Sequence, residues 1–92
     1  MEGESLVQLM VERFWPGATP DAVREVVEQL QVICQRMAAE GIPLRCLGAT
    51  FVPEDKSLAC RFDGTPQAVR SAHELAGARF DRLLVIHEIG RL

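Results

Sequence analysis

Four residues have the types and the spacing to do chemistry together: Gln8, Glu12, Arg61 and His87. Gln8 and Glu12 flank Met10 in Leu6 to Phe14, a stretch that alternates like a strand. In a strand those three share one face, and Val7, Leu9 and Val11 share the other. Arg61 belongs to a second such stretch, Ser57 to Phe62, on the side away from Leu58, Cys60 and Phe62. His87 falls in a third, Phe80 to Ile89, where Leu83, Val85, His87 and Ile89 oppose Leu84, Ile86 and Glu88. A carboxylate, a guanidinium and an imidazole on one sheet surface could bind a metal or an anionic ligand, or transfer protons. The plainer reading of the same residues is an interface ion pair between Glu12 and Arg61, with His87 an ordinary strand-end histidine.

Other chemistries find little support. His73 and Glu74 are neighbours on a helix and diverge by about 100°, so they cannot chelate one ion together, and His73 reads as a surface residue. With two histidines and no His-x-x-x-His pair, no metal site closes within a local segment. The three cysteines, Cys34, Cys46 and Cys60, form no Cys-x-x-Cys and read as reduced, small core residues. There is no Gly-x-Ser-x-Gly elbow, no glycine-rich phosphate loop and no cysteine with an evident base. Trp15, beside Pro16, reads as a plug at a sheet end or the wall of a pocket mouth.

The elements that must position these residues are marked by a doubled junction. Arg13-Phe14-Trp15-Pro16-Gly17-Ala18-Thr19-Pro20 is echoed by Arg61-Phe62-Asp63-Gly64-Thr65-Pro66. Each combines a strand end, a glycine turn, a threonine N-cap and a proline at the first helical position. The first helix is expected from Thr19 to about Glu40, with Val23, Val26, Val27, Leu30, Ile33, Cys34 and Met37 on one stripe and Gly41 as its stop. Leu44 to Val52 and Ser57 to Phe62 read as a hairpin around Pro53-Glu54-Asp55-Lys56, which sets Cys60 opposite Thr50, with Gly48 marking a bulge. The second helix, Thr65 to about Ala76, carries Ala68, Val69, Ala72, Leu75 and Ala76 inward. The last strand is apolar on both faces, which predicts cover on both.

The order β-α-β-β-α-β is the α+β, ferredoxin-like arrangement, a four-stranded antiparallel sheet with two helices on one face. The opposite face still presents Leu6, Met10, Phe14 and half of the last strand. An open apolar face of that size predicts a homodimer in which two sheets meet.

Composition narrows the setting. Ninety-two residues, 48% hydrophobic but only 5% aromatic, make a single domain over 1–92 with a core of Val, Leu, Ile, Met, Ala and Cys. Residues 1–5 read as a short polar lead-in. A net charge of −3 and a pI near 5.3 argue against nucleic acid, which needs a basic face. No apolar run approaches the roughly 20 residues that cross a bilayer, and the start lacks a signal-peptide pattern, so no membrane contact and a cytoplasmic location are expected.

Several strings also carry a resemblance when taken together: Val11-Glu12-Arg13-Phe14, Pro16-Gly17, Thr19-Pro20, Gly41, Thr50-Phe51-Val52-Pro53-Glu54-Asp55, Cys60 and Phe80-Asp81-Arg82. In this order and spacing the chain, from about Leu6 to Ile89, resembles the small nickel-binding proteins of bacteria, a family otherwise described as a domain of unknown function. The resemblance implies a ferredoxin-like fold, a homodimer and, in some members, a nickel ion near the subunit contact. Imidazole, carboxylate and water suit such an ion or another divalent transition metal. Many relatives carry a histidine in the second strand, whereas Arg45-Cys46-Leu47-Gly48-Ala49-Thr50 has none. That leaves Glu12 and His87 as the metal ligands the resemblance implies here.

The leading expectation is therefore a small, cytoplasmic, homodimeric metal-binding protein of the nickel type. The alternative is a protein that binds a small hydrophobic or anionic molecule, or a cofactor-free enzyme of the cyclase or monooxygenase kind, with its pocket on the open sheet face. In that case Arg61 holds an anionic oxygen and His87 or Glu12 acts as base. A third reading is a structural module with every polar group satisfied across the dimer.

Overall fold

Both helices begin as their threonine-proline pairs dictate. The Thr19 and Thr65 hydroxyls accept the backbone N–H groups of Ala22 and Ala68, each at 3.1 Å. Pro20 and Pro66 take the first helical positions, where a missing N–H costs nothing. Each cap contributes about 1 kcal/mol. The first helix closes in a tight turn, with the Ile42 N–H donating to the Met37 carbonyl at 3.0 Å. Gly41, at φ +93°, supplies the left-handed residue that this turn requires.

The computed structural model describes residues 6–90. The polar lead-in expected at residues 1–5 lies outside the described residues. The elements run β1 (Val7–Phe14), α1 (Pro20–Ala39), β2 (Arg45–Val52), a 3-10 turn (Pro53–Asp55), β3 (Ser57–Gly64), α2 (Pro66–Ala76) and β4 (Arg82–Ile86). The four strands form one antiparallel sheet in the order β2-β3-β1-β4, as expected for βαββαβ. Leu9 and Val11 from β1 and Leu58, Cys60 and Phe62 from β3 pack with Val23, Cys34 and Met37 of α1 and Ala68, Val69 and Ala72 of α2. Leu9, Phe62, Val69 and Ala72 are wholly buried. Burial of each large apolar side chain stabilises by about 1.5–3 kcal/mol.

Three local expectations need correcting. Cys60 pairs with Ala49, not Thr50, because the turn joins Val52 directly to Ser57. The bulge expected at Gly48 is present, between Cys46 and Gly48, and shifts the register again. On α2 the buried stripe is rotated: Leu75 points out and His73 points in. Finally, β4 is five residues long and lies at the sheet edge, where the helix layer covers Leu83 and leaves Val85 exposed. Its helix-side face is therefore only partly covered.

The face away from the helices is crossed by four rows of side chains. One is Arg45, Asp63, Gln8 and Ile86; the next is Gly48, Arg61, Met10 and Leu84. Then come Thr50, Ala59, Glu12 and Arg82, and last Val52, Ser57 and Phe14. Among the described residues no helix or strand packs over this face.

Candidate functional site

Of the four residues singled out by type and spacing, three meet on this open face. Gln8, Glu12 and Arg61 occupy successive rows of β1 and β3. His87 does not join them. It lies exposed, one residue past the end of β4, with the alternation of Val85 rather than of Leu84 and Ile86. Glu12 stands opposite Arg82, five positions from His87, a separation of roughly 17 Å along an extended chain. Glu12 and His87 of one chain therefore cannot hold one ion.

Glu12 has a different partner from the one expected. Arg82 donates to Glu12 Oε1 from Nε at 2.9 Å and from Nη2 at 2.5 Å. Direct cross-strand placement explains the choice: Glu12 faces Arg82, whereas Arg61 faces Met10. The pair is partly solvated and is worth about 0–1 kcal/mol. Arg45 and Asp63 form a second pair at 3.2 Å in the first row. Among the described residues three guanidiniums thus lie on the open face, and two are neutralised.

The third is Arg61, exposed at the centre of the sheet between Met10 and Gly48. Among the described residues no carboxylate pairs with it. Its guanidinium lies over the bulge of β2, where a Cβ at Gly48 would stand 2.8 Å from Nη2. Gly48 is therefore the gap through which the arginine reaches across the neighbouring strand. At the rim of the face, Glu12, Phe14, Ser57, Ala59, Asp81 and Arg82 border a shallow cavity of ≈360 Å³.

His73 and the three cysteines belong to the packing of the fold. Only 3% of His73 is exposed, which corrects its reading as a surface residue. Its Nδ1 lies 2.8 Å from the Val69 carbonyl, and a proton there donates to that oxygen. The ring meets Phe62 and Phe80 edge-on, with centroids 5.7 and 5.1 Å away. Burial lowers its pKa and the carbonyl partly restores it. All three cysteines are free. Burial pushes the Cys34 thiol up to about 11 and the Cys60 thiol up to about 12. Cys46, half-buried beside the bulge, is also raised by burial, against the Gly48 N–H and the Arg61 charge. Thiols raised in this way are poor nucleophiles.

The fit to a metal can be judged from these donors. Among the described residues no three His, Cys, Asp or Glu side chains gather where an ion could sit. Glu12 is engaged by Arg82, and the described residues of a single chain do not fit the nickel site implied by the resemblance. Among the described residues no helix is long and apolar enough to cross a membrane.

The chain matches no family model and no curated protein. Among solved structures it is similar to SCO4226 from Streptomyces coelicolor A3(2), with a TM-score of 0.75 and 18% sequence identity. The match covers 90% of this chain and 99% of that one. The fold is ferredoxin-like. At this identity the likeness speaks to the fold alone, and the site rests on its own geometry.

Proposed function

We propose that this chain is a homodimeric binding protein of the cytoplasm, which holds a small molecule with an apolar body and an anionic group between two open sheet faces. One observation carries the reading: Arg61 is the guanidinium on that face without a carboxylate partner among the described residues, and exposed apolar side chains share the face with it. Met10 stands beside it in its own row with Leu84 beyond, while Leu6, Phe14 and Val52 lie exposed around the border. Exposed apolar area around an unneutralised cation suits a carboxylate, phenolate or sulfonate on a hydrophobic frame. A second copy covers the apolar rows by two-fold symmetry and closes the pocket. No base is assigned, since Glu12 is held by Arg82 and His87 is remote.

The anilinonaphthalene sulfonate dye has the required shape and charge and serves as the probe. Saturable dye binding to the dimer, weakened at least about tenfold in Arg61→Gln, supports the assignment. Equal affinity in the two proteins overturns it.

A divalent transition metal remains the second reading, supported by the resemblance and by the accessibility of both Glu12 and His87. It requires Glu12 of one subunit and His87 of the other. Nickel titration of untagged protein, with Glu12→Gln and His87→Gln, decides it. Loss of tight nickel binding in each variant supports the metal, and no binding at micromolar nickel removes it.

A further inference from the structure

Arg13 is out of place for its position. It sits on the core side of β1 opposite Leu58, where the alternation of Val7, Leu9 and Val11 calls for an apolar residue. Its guanidinium carbon lies 3.7 Å from the centroid of the Trp15 ring, and its Nε is buried without a hydrogen-bond partner. A buried donor on a charged group is costly when nothing accepts from it. Arg79, from the segment between α2 and β4, lines the same narrow cleft with His73, and its other walls are mostly apolar, Val26, Leu30 and Leu58 among them.

Two guanidiniums at one cleft repel each other. Burial first, then the charge of Arg79, hold Arg13 below its ordinary value, with Asp81 opposing them. Asp81 Oδ2 accepts the Phe14 N–H at 2.6 Å, and among the described residues Asp81 forms no ion pair with either arginine. Among the described residues neither Arg13 nor Arg79 forms an ion pair. The cleft has room for about one water-sized atom, at ≈10 Å³. Its walls therefore offer one oxygen-sized seat beside an unused donor, with a second guanidinium close by.

We propose that Arg13 and Arg79 form a phosphate site at the end of the sheet, separate from Arg61, in which one phosphate oxygen enters the cleft toward Arg13 Nε and the others stay outside on Arg79. A dianionic tetrahedral group supplies both the charge and the several oxygens that two guanidiniums from different segments need. A free phosphate and the phosphate of a small ester share this chemistry.

Trp15 is the only tryptophan of the chain and lies against Arg13, so its emission reports the site directly. The full chain is titrated at constant ionic strength with inorganic phosphate, a sugar phosphate and acetate, with chloride as the blank. A saturable change in emission with phosphate, weakened at least about tenfold in Arg79→Gln, supports the site. Arg79 is exposed, so that variant keeps its fold, which circular dichroism verifies. Tighter binding of the sugar phosphate assigns an ester as the ligand, and equal binding assigns free phosphate. A response to phosphate no larger than to chloride or acetate overturns the proposal, as does unchanged affinity in Arg79→Gln.

Discussion

His73 gives the chain a defined sensitivity to acid. The imidazole is packed between Phe62 and Phe80 with a single polar contact, to the Val69 carbonyl, so protonation has to place a charge in an apolar seat. An unfolded histidine takes up its proton near pH 6.5, whereas folded His73 does so at a lower pH. Below about 6.5 the unfolded chain therefore binds a proton that the folded chain does not. The stabilisation is complete above that pH and is lost as the pH falls toward the folded pKa. The limiting slope is about 1.4 kcal/mol per pH unit, so the loss reached by about pH 5.5 amounts to as much as about 1.4 kcal/mol. The perturbation is His73→Gln, which keeps a donor for the carbonyl and cannot titrate. Urea unfolding, at one protein concentration and at about pH 7.5 and about pH 5.5, gives the stability of both proteins. The wild type loses up to about 1.4 kcal/mol more than the variant between those values. Carboxylates titrate alike in the two proteins and cancel. Parallel losses, or a measured His73 pKa at or above about 6.5, would refute the reasoning.

Three further outcomes test the sheet and the turn that closes the first helix. A thiol reagent at about pH 8 labels Cys46 first, while Cys34 and Cys60, pushed up to about 11 and about 12, stay unreacted until the protein unfolds; equal rates for all three would contradict their placement. Gly48→Ala costs about 1–2 kcal/mol for the φ of +157° and displaces the Arg61 guanidinium, so dye affinity falls. Gly41→Ala, where a Cβ meets open space at φ +93°, costs about 1 kcal/mol and leaves dye binding intact.

Local chemistry was the legible part of this chain. Thr19-Pro20 and Thr65-Pro66 announce both helices because capping needs only the residues that perform it. Strand alternation correctly put Gln8, Glu12 and Arg61 on one face, and Gly48 correctly marked the bulge. Relations between distant segments were harder to read. Whether Glu12 would meet Arg61 or Arg82 depends on the β1–β4 register, which no local pattern specifies. The parity of His87 depends on where β4 begins and ends, and both faces of that stretch are apolar. His73 was misplaced because a polar residue on a helix reads as exposed, while its seat is built by Phe62 and Phe80 from other elements. Arg13 left one signal that alternation could have caught: it continues the core side of Val7, Leu9 and Val11. The doubled junction, which first marked a repeat, proves to be helix-starting scaffold in both copies, with Arg13 and Arg61 just before the turns as the residues with chemistry left over.

The homodimer through the open face is the claim on which the binding pocket depends. Sedimentation equilibrium of the wild type and of Leu84→Arg measures it most directly, because Leu84 lies beside Met10 on the open face and away from the core. A homodimer joined through that face gives a wild-type mass of twice 10.2 kDa and a folded Leu84→Arg monomer. A wild-type monomer of 10.2 kDa at all concentrations, or a dimer that Leu84→Arg leaves intact, would contradict it.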